Sequence, residues 1–196
     1  MIRPNKPDEA TLVGRCQAGE LAAFTELFHT YEAPLYRLAV TIVRHEADAQ
    51  DALQETWLKV FRQIKDFRGE AALKTWLTSV LVNVCRDQLR RARVRQFLPL
   101  EWFSQRPHSA PAVPEAVYAA LRQRAVLKCV DELDDAHRLP VILFYLEGLS
   151  AAEVGQILRQ PVRVIYARLN AARQRLRALL QAEDTAEARE WEAKLC

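Results

Sequence analysis

Residues 48–93 read DAQDALQETWLKVFRQIKDFRGEAALKTWLTSVLVNVCRDQLRRAR, and their periodicity predicts two amphipathic helices joined by a short turn at Arg68-Gly69-Glu70. In the first, Leu53, Trp57, Val60, Phe61 and Ile64 recur at helical spacing and form one apolar stripe. Asp48, Asp51, Glu55, Lys59 and Arg62 fall on another side, with the acids leading. The second helix is expected to turn Trp76, Leu77, Val80, Leu81 and Val84 inward before ending in a run of arginines. An acidic face, an aromatic turn and a basic helix end thus share one short segment. Charge patterning alone favours a helical hairpin with a solvated, charged surface.

Working outward, the 196 residues suit one domain or two small ones, and half are apolar, enough for real cores. No apolar run approaches the roughly 20 residues of a membrane span. The start, MIRPNKPDEA, lacks the charged and apolar regions of a signal peptide. The chain is expected to be cytoplasmic and not itself membrane-embedded. Net charge is only +3, but the arginines cluster: Arg86, Arg90, Arg91, Arg93, Arg95 and Arg106 mid-chain, then Arg163, Arg168, Arg173, Arg175 and Arg177. Two basic patches imply two contacts with a polyanion. Cys16, Cys85, Cys129 and Cys196 have no C-x-x-C spacing and no neighbouring histidine, so neither metal nor cofactor is expected.

The fold expected is all-α: two small helical domains joined by a flexible linker, the second containing a helix-turn-helix. Residues 1–9 form a tail. Leu12, Val13 and Cys16 begin a helix broken at Gly19; Leu21, Phe24, Leu27, Phe28 and Tyr31 carry the next; Ala33-Pro34 is placed to start another, with Leu35, Leu38, Ala39, Ile42 and Val43 inward. Together with the hairpin these make a domain over 10–93. Residues 94–119 hold Pro99, Pro107, Pro111 and Pro114 and read as the linker. Its Leu98, Leu100, Trp102 and Phe103 are too apolar for a mere spacer and predict packing on a surface.

A second domain spans 120–180, followed by an acidic extension over 181–196. Val126, Cys129, Val130 and Leu133 form one face, and Leu139, Val141, Ile142, Phe144 and Tyr145 another, stopped by Gly148. Ser150 with Glu153 three residues on predicts a capping box. The helix it opens runs through Val154, Ile157 and Leu158; Gln160-Pro161 turns sharply into a long helix from Val162 to about Leu180. Val162, Ile165, Leu169, Ala172 and Leu176 should seat that helix. Arg163, Ala167, Asn170, Gln174 and Arg177 point away, flanked by Tyr166 and Arg173. A helix enters the major groove, where Arg and Asn read guanine and adenine edges; an arginine-rich solvated helix is the plain alternative.

DAQDALQETWLKVF, FRGEAALKTWL and NVCRDQLRR, in that order, resemble region 2 of the sigma-70 family, in its small extracytoplasmic-function (ECF) group. LEGLSAAEVGQILRQPVRVIYARLNAARQRLR resembles region 4 of that family through Leu146-Glu147-Gly148, Ser150, Glu153, Pro161, Arg168, Leu169, Ala172 and Arg173. The resemblance implies a promoter-specificity subunit of bacterial RNA polymerase and not an enzyme. Region 2 would dock on the clamp helices of the largest core subunit and hold the melted −10 strand; region 4 would bind the flap and read the −35 duplex. Asp48, Asp51, Gln54 and Glu55 would form the polymerase-docking face, suited to a basic partner. Phe67, Arg68, Glu70, Lys74, Trp76, Asn83 and Asp87 would capture an unstacked base, with Arg86, Arg90 and Arg91 on phosphates. Trp76 reads equally as core. Arg163, Tyr166, Ala167, Arg168, Asn170, Arg173 and Arg177 would contact the −35 element.

Ala71, Ala72 and Leu73 replace the family's Ser-x-Phe, and Arg163, Val164 and Ala167 its usual Gly, Thr and Ser, so base identity does not carry over. The resemblance further implies an anti-sigma factor, often membrane-linked, that would hold the protein at the membrane. Two other classes fit parts of the sequence. An operator-binding helix-turn-helix dimer would need a self-complementary interface that no segment marks, and the paired arginine clusters speak against a helical adaptor that touches no nucleic acid. No nucleophile–base set or phosphate-cradling glycine loop occurs.

Overall fold

The structure, a computed structural model, describes residues 9–96 and 124–182. The terminal tail, nearly all of the expected linker and most of the acidic extension lie outside the described residues. All described elements are helical, and they gather into two compact units.

The first unit holds α1 (Glu9–Gln17), α2 (Leu21–Val43), α3 (Glu46–Gln63) and α4 (Leu73–Gln96), with a 3₁₀ turn, Ile64–Asp66, continuing α3. Helices α2, α3 and α4 pack on one another, and α1 lies against α2 and the 3₁₀ turn. Gly19, in the left-handed region at φ 84°, makes the turn out of α1. Arg15 braces it by donating from Nε to Glu20 (2.8 Å) and from Nη1 to Glu26 (3.2 Å).

Three expectations are corrected. Pro34 does not start a helix but lies inside α2. The missing N–H costs one intrahelical bond, but Tyr31, Leu35, Leu38, Ala39 and Ile42 are all buried on either side of it, and that burial holds the helix continuous. Phe61 is 56% exposed rather than core. Its ring still meets Phe24 of α2 edge-on at 5.0 Å, so it lies at the open rim of the α2–α3 seam rather than inside it. Ala49, Ala52 and Thr56 of α3 are fully buried, with the Thr56 hydroxyl donating to the Ala52 carbonyl (2.7 Å). Leu21 is likewise 71% exposed at the start of α2.

The second unit holds α5 (Arg124–Asp131), α6 (Asp135–Val141), α7 (Ala151–Leu158) and α8 (Val162–Ala182). Helix α6 widens into a π-helical turn over Ile142–Leu146, closed by the Glu147 N–H donating to Ile142 O (3.1 Å). Gly148 at φ 70° then ends it. The capping box of α7 is formed: the Ser150 hydroxyl accepts from the Glu153 N–H, and the Glu153 carboxylate accepts from the Ser150 N–H (2.9 Å). Ile165, Leu169, Ala172 and Leu176 seat α8 as expected, but Val162, at the first turn of α8, is 40% exposed although its side chain faces Gly155 of α7.

The turn between α7 and α8 depends on a missing side chain. Arg159 adopts the left-handed conformation (φ 53°) and the Gln160 N–H returns to Gly155 O (2.9 Å). A Cβ on Gly155 would stand 2.8 Å from the Gln160 carbonyl oxygen, a backbone atom that cannot swing aside. Gly155→Ala gains helix propensity of about 1 kcal/mol but forces a clash of the kind that costs ~1–3 kcal/mol. The expected net is destabilisation. Faster hydrogen exchange at the Arg159 and Gln160 amides, with a lower urea midpoint, is the measurement that checks it.

Candidate nucleic-acid and protein interfaces

Helix α4 is enclosed on nearly every side. Leu73, Thr75, Leu77, Thr78, Val80, Leu81, Val82, Val84 and Cys85 are all buried, and burial pushes the Cys85 thiol up to about 12. One stripe stays open, and by helix phase it carries Trp76, Ser79, Asn83, Arg86, Asp87 and Arg90, each half-buried or exposed. Asp87 accepts from Arg90 (3.2 Å), which fixes both heads along the stripe. Lys74 and Arg91 are exposed but fall off its line.

At the upper end of the stripe lies the 67–72 loop. The Phe67 ring packs against Trp76 at 5.0 Å between centroids, tilted by 43°, and both rings are half-buried. Trp76 is thus neither pure core nor free surface. Arg68 and Glu70 project into solvent on either side of Gly69, whose φ of 72° turns the chain. Loop and stripe together bring Phe67, Trp76, Asn83, Asp87, Arg86 and Arg90 into one surface of aromatic, amide and guanidinium groups. That composition suits an unstacked base with flanking phosphate.

Helix α3 turns Asp48, Asp51, Gln54 and Glu55 outward together. Asp48 is within 3.6 Å of His45, and Glu55 pairs with Lys59 at 2.9 Å. The periodicity argument missed what continues this face: Leu58 is 59% exposed, one turn beyond Gln54 and Glu55. Phe61 and Leu21 extend the apolar surface. Beneath it, Phe24 meets Phe61 edge-on at 5.0 Å and Trp57 at 6.0 Å, and Phe28 meets Trp57 at 5.0 Å. The sequence signal for Leu58 was its place among acids on the polar side.

In the second unit, Arg163, Ala167, Asn170 and Gln174 line the outward side of α8, and Tyr166 stands 55% exposed beside them. Arg177 and Arg173 are half-buried on the Tyr166 flank, and the Arg173 Nε is buried without a hydrogen-bond partner among the described residues. Arg168 lies on the other flank. There an open cleft is lined by His137, Arg163, Val164, Ala167 and Arg168. His137 belongs to the start of α6 and is held by Asp134. The Asp134 carboxylate caps α6 by accepting from the Ala136 and His137 N–H groups (3.1 and 3.2 Å), faces His137 Nδ1 at 2.8 Å and accepts from Arg175 of α8 at 2.9 Å. One carboxylate therefore ties the start of α6 to the middle of α8. The sequence reading missed this group, although an Asp directly before a helix is a capping signal.

Among the described residues no cluster of three His, Cys, Asp or Glu side chains is placed to hold a metal ion, and no helix is long and apolar enough to cross a membrane.

Comparison with known proteins places these surfaces in context. Residues 27–95 match the family described as Sigma-70 region 2, and residues 123–176 match Sigma-70, region 4. The chain is 33% identical over 172 residues to the ECF RNA polymerase sigma factor SigM of Mycobacterium tuberculosis, covering 88% of this chain and 84% of that protein. It is 28% identical to the RNA polymerase sigma factor CnrH of Cupriavidus metallidurans, over 90% of this chain and 97% of that one. Among solved structures, CnrH in complex with the cytosolic domain of CnrY aligns with a TM-score of 0.63 at 23% identity, covering 89% of this chain and 97% of that chain. The sigma factor RpoE in complex with the anti-sigma factor NepR from Bartonella quintana aligns with a TM-score of 0.62 at 22% identity, over 81% and 96%. These two likenesses concern the fold.

The Asp134 junction carries a pH dependence. Its carboxyl is held below the usual carboxylate range by the His137 ring hydrogen bond, reinforced by the His137 charge and by Arg175. A depressed folded-state pKa means the stabilisation is complete above the unfolded value, near ~3.9, and is lost as pH falls through the lower folded value. Asp134→Asn keeps a capping side chain but not the charge. Thermal melts should show the variant less stable than wild type at pH 6, with the gap closing between about pH 4 and pH 2.

Proposed function

The chain belongs to the sigma-70 family, in its extracytoplasmic-function group, and on that premise we propose a division of labour among the surfaces just described. The protein is a sigma factor that binds core RNA polymerase and promoter DNA and directs transcription initiation; it is not an enzyme. The observation that carries the finer reading is the one open stripe on α4. A helix buried on most of its sides between Leu73 and Cys85, whose exposed line joins an aromatic loop to Asn83 and two arginines, suits capture of a single strand.

On this reading the loop and stripe of the first unit hold the melted −10 strand: Phe67 and Trp76 offer stacking surface, Asn83 and Asp87 hydrogen-bonding groups, and Arg86 and Arg90 phosphate contacts. Arg68, Glu70, Lys74 and Arg91 take the rim, reaching the backbone on either side. The outward face of α3, Asp48, Asp51, Gln54 and Glu55, docks on the basic clamp helices of the polymerase, with Leu58 as an apolar anchor among charges. Helix α8 enters the major groove of the −35 element, with Arg163, Ala167 and Asn170 toward base edges, Tyr166, Arg168, Arg173 and Arg177 toward the sugar–phosphate walls, and the flap as the second unit's polymerase contact. We also propose that an anti-sigma partner silences the protein in the cytoplasm. Relatives of this fold are known in complex with an anti-sigma factor and with the cytosolic domain of CnrY. The exposed Leu21, Leu58 and Phe61 beside the docking face suit an amphipathic helix that would block clamp binding by covering them.

Run-off transcription with core polymerase on a matched promoter library tests the whole reading; failure to support initiation at any promoter would overturn it. Asp51→Arg replaces an exposed acid on a stable helix with like charge against a basic partner. Affinity for core polymerase, by fluorescence titration, should fall at least tenfold, about 1.4 kcal/mol, with the thermal midpoint unchanged. Along α8, Arg173→Ala should weaken holoenzyme binding on all promoters and reduce the salt slope by about one unit. Arg163→Ala and Asn170→Ala should instead relax preference at one or two −35 base pairs, by roughly 1–3 kcal/mol for a bidentate contact. A −35 mutation scan at several salt concentrations separates the two behaviours.

A further inference from the structure

Gln17 is the last residue of α1, far in sequence from the loop at 67–72, and its side chain ends on that loop. Its Nε2 donates to the carbonyl oxygens of Ile64 (3.1 Å) and Phe67 (2.8 Å). Both donors of one carboxamide are used on the place where α3 and its 3₁₀ turn release the chain. The Phe67 carbonyl lies past the last helical turn, and Gln17 is half-buried over both oxygens. The Phe67 N–H also returns to Ile64 O (3.2 Å), and Phe67 itself is extended at φ −69°, ψ 116°. Beyond it come Arg68, the left-handed Gly69 and Glu70; the chain is caught again where the Trp76 N–H donates to Ala72 O (3.0 Å).

The direction of the Phe67 side chain, and with it the 5.0 Å packing on Trp76, is set at the loop entrance by a side chain from another helix. Glycine inside the loop gives it freedom, and the Gln17 carboxamide removes that freedom at the residue whose ring matters.

We propose that Gln17 is a positioning residue for strand capture, fixing Phe67 through its backbone so that the aromatic pair is ready before DNA arrives. The inference rests on the reading of the loop and α4 stripe as the −10 site. Gln17→Met keeps size and loses both donors. Gln17→Glu places a carboxylate against two carbonyl oxygens; once protonated, it can donate to one of them. This gives a signature that a merely space-filling role would not produce.

The test uses holoenzyme assembled from the full chain, a fluorescent single-stranded −10 oligonucleotide matched to an active promoter, and permanganate footprints of the open complex. Gln17→Met should weaken oligonucleotide binding about tenfold and reduce bubble reactivity, while affinity for core polymerase stays at the wild-type value and the thermal midpoint falls only by what two neutral hydrogen bonds contribute. Gln17→Glu should be at least as weak at pH 8 and recover part of the loss at pH 5.5, whereas Gln17→Met should show the same deficit at both. If Asn83→Ala loses binding but both Gln17 variants keep it, the inference fails and the −10 reading stands. If Asn83→Ala and Phe67→Ala also bind normally, the −10 reading itself is wrong. If the Gln17 variants lose core binding or no longer unfold in one cooperative transition, the residue serves the fold at large and the inference is overturned.

Discussion

The first unit is governed by the enclosure of α4. A helix buried on most of its circumference cannot roll or slide without opening voids in a close-packed interior, so its exposed line is held in rotation and height. The polar residues on that line are aimed by the core beneath them rather than by contacts among themselves. This explains why α4 shows little amphipathic contrast in its sequence: Leu77, Leu81, Val82, Val84 and Cys85 are fully buried on several sides at once. A substitution such as Leu81→Ala would therefore shift the stripe from Trp76 to Arg90, although Leu81 is not part of it.

The second unit solves a related problem with less core. On the proposed reading helix α8 presents Arg163, Ala167 and Asn170 at a fixed angle, and it is long and half solvated. Its angle is set at its start by the α7 turn, where Gly155 permits a close backbone approach, and midway by Arg175 reaching Asp134. The capping box holds α7 in turn. Exposed ion pairs contribute little to stability on their own. The value of the Asp134 group lies in geometry: the same carboxylate caps α6, holds His137 and receives Arg175.

The helices, their order, the capping box and the seating side of α8 were legible in the sequence because each rests on local periodicity or local chemistry. Whatever depended on distance in sequence was not. Phe61 fits the apolar stripe of α3 by spacing, yet it meets only the edge of Phe24 and stays more than half exposed; spacing places a residue on a stripe without saying how far the neighbouring helix reaches over it. Pro34 reads as a helix start locally, and only the burial of Tyr31 and Leu38 on either side shows why the helix continues through it. On the candidate site, spacing alone grouped Asp48, Asp51, Gln54 and Glu55 and placed Asn83 one turn from Asp87. It did not exclude Lys74 and Arg91 from the stripe, which needed the phase of α4 against its core. Leu58 looked like an ordinary helix residue until its exposure was known, and Gln17 offered no signal, since its partners lie 47 and 50 residues away.

The two units also differ in how they can hold nucleic acid. Duplex arrives with its own stiffness, so a reader needs only a rigid helix at the right angle, and α8 can contribute side chains while the groove supplies the frame. An unstacked strand brings no frame, and ordering it costs conformational entropy of both partners unless one is already fixed. The protein must then supply the rigidity. In the first unit it comes from a helix locked in the core and an aromatic loop tethered at its entrance. On the proposed reading, a strand-binding surface of this kind gains affinity from order already present, and for that reason its determinants extend inward to the buried residues of α4 and across to α1.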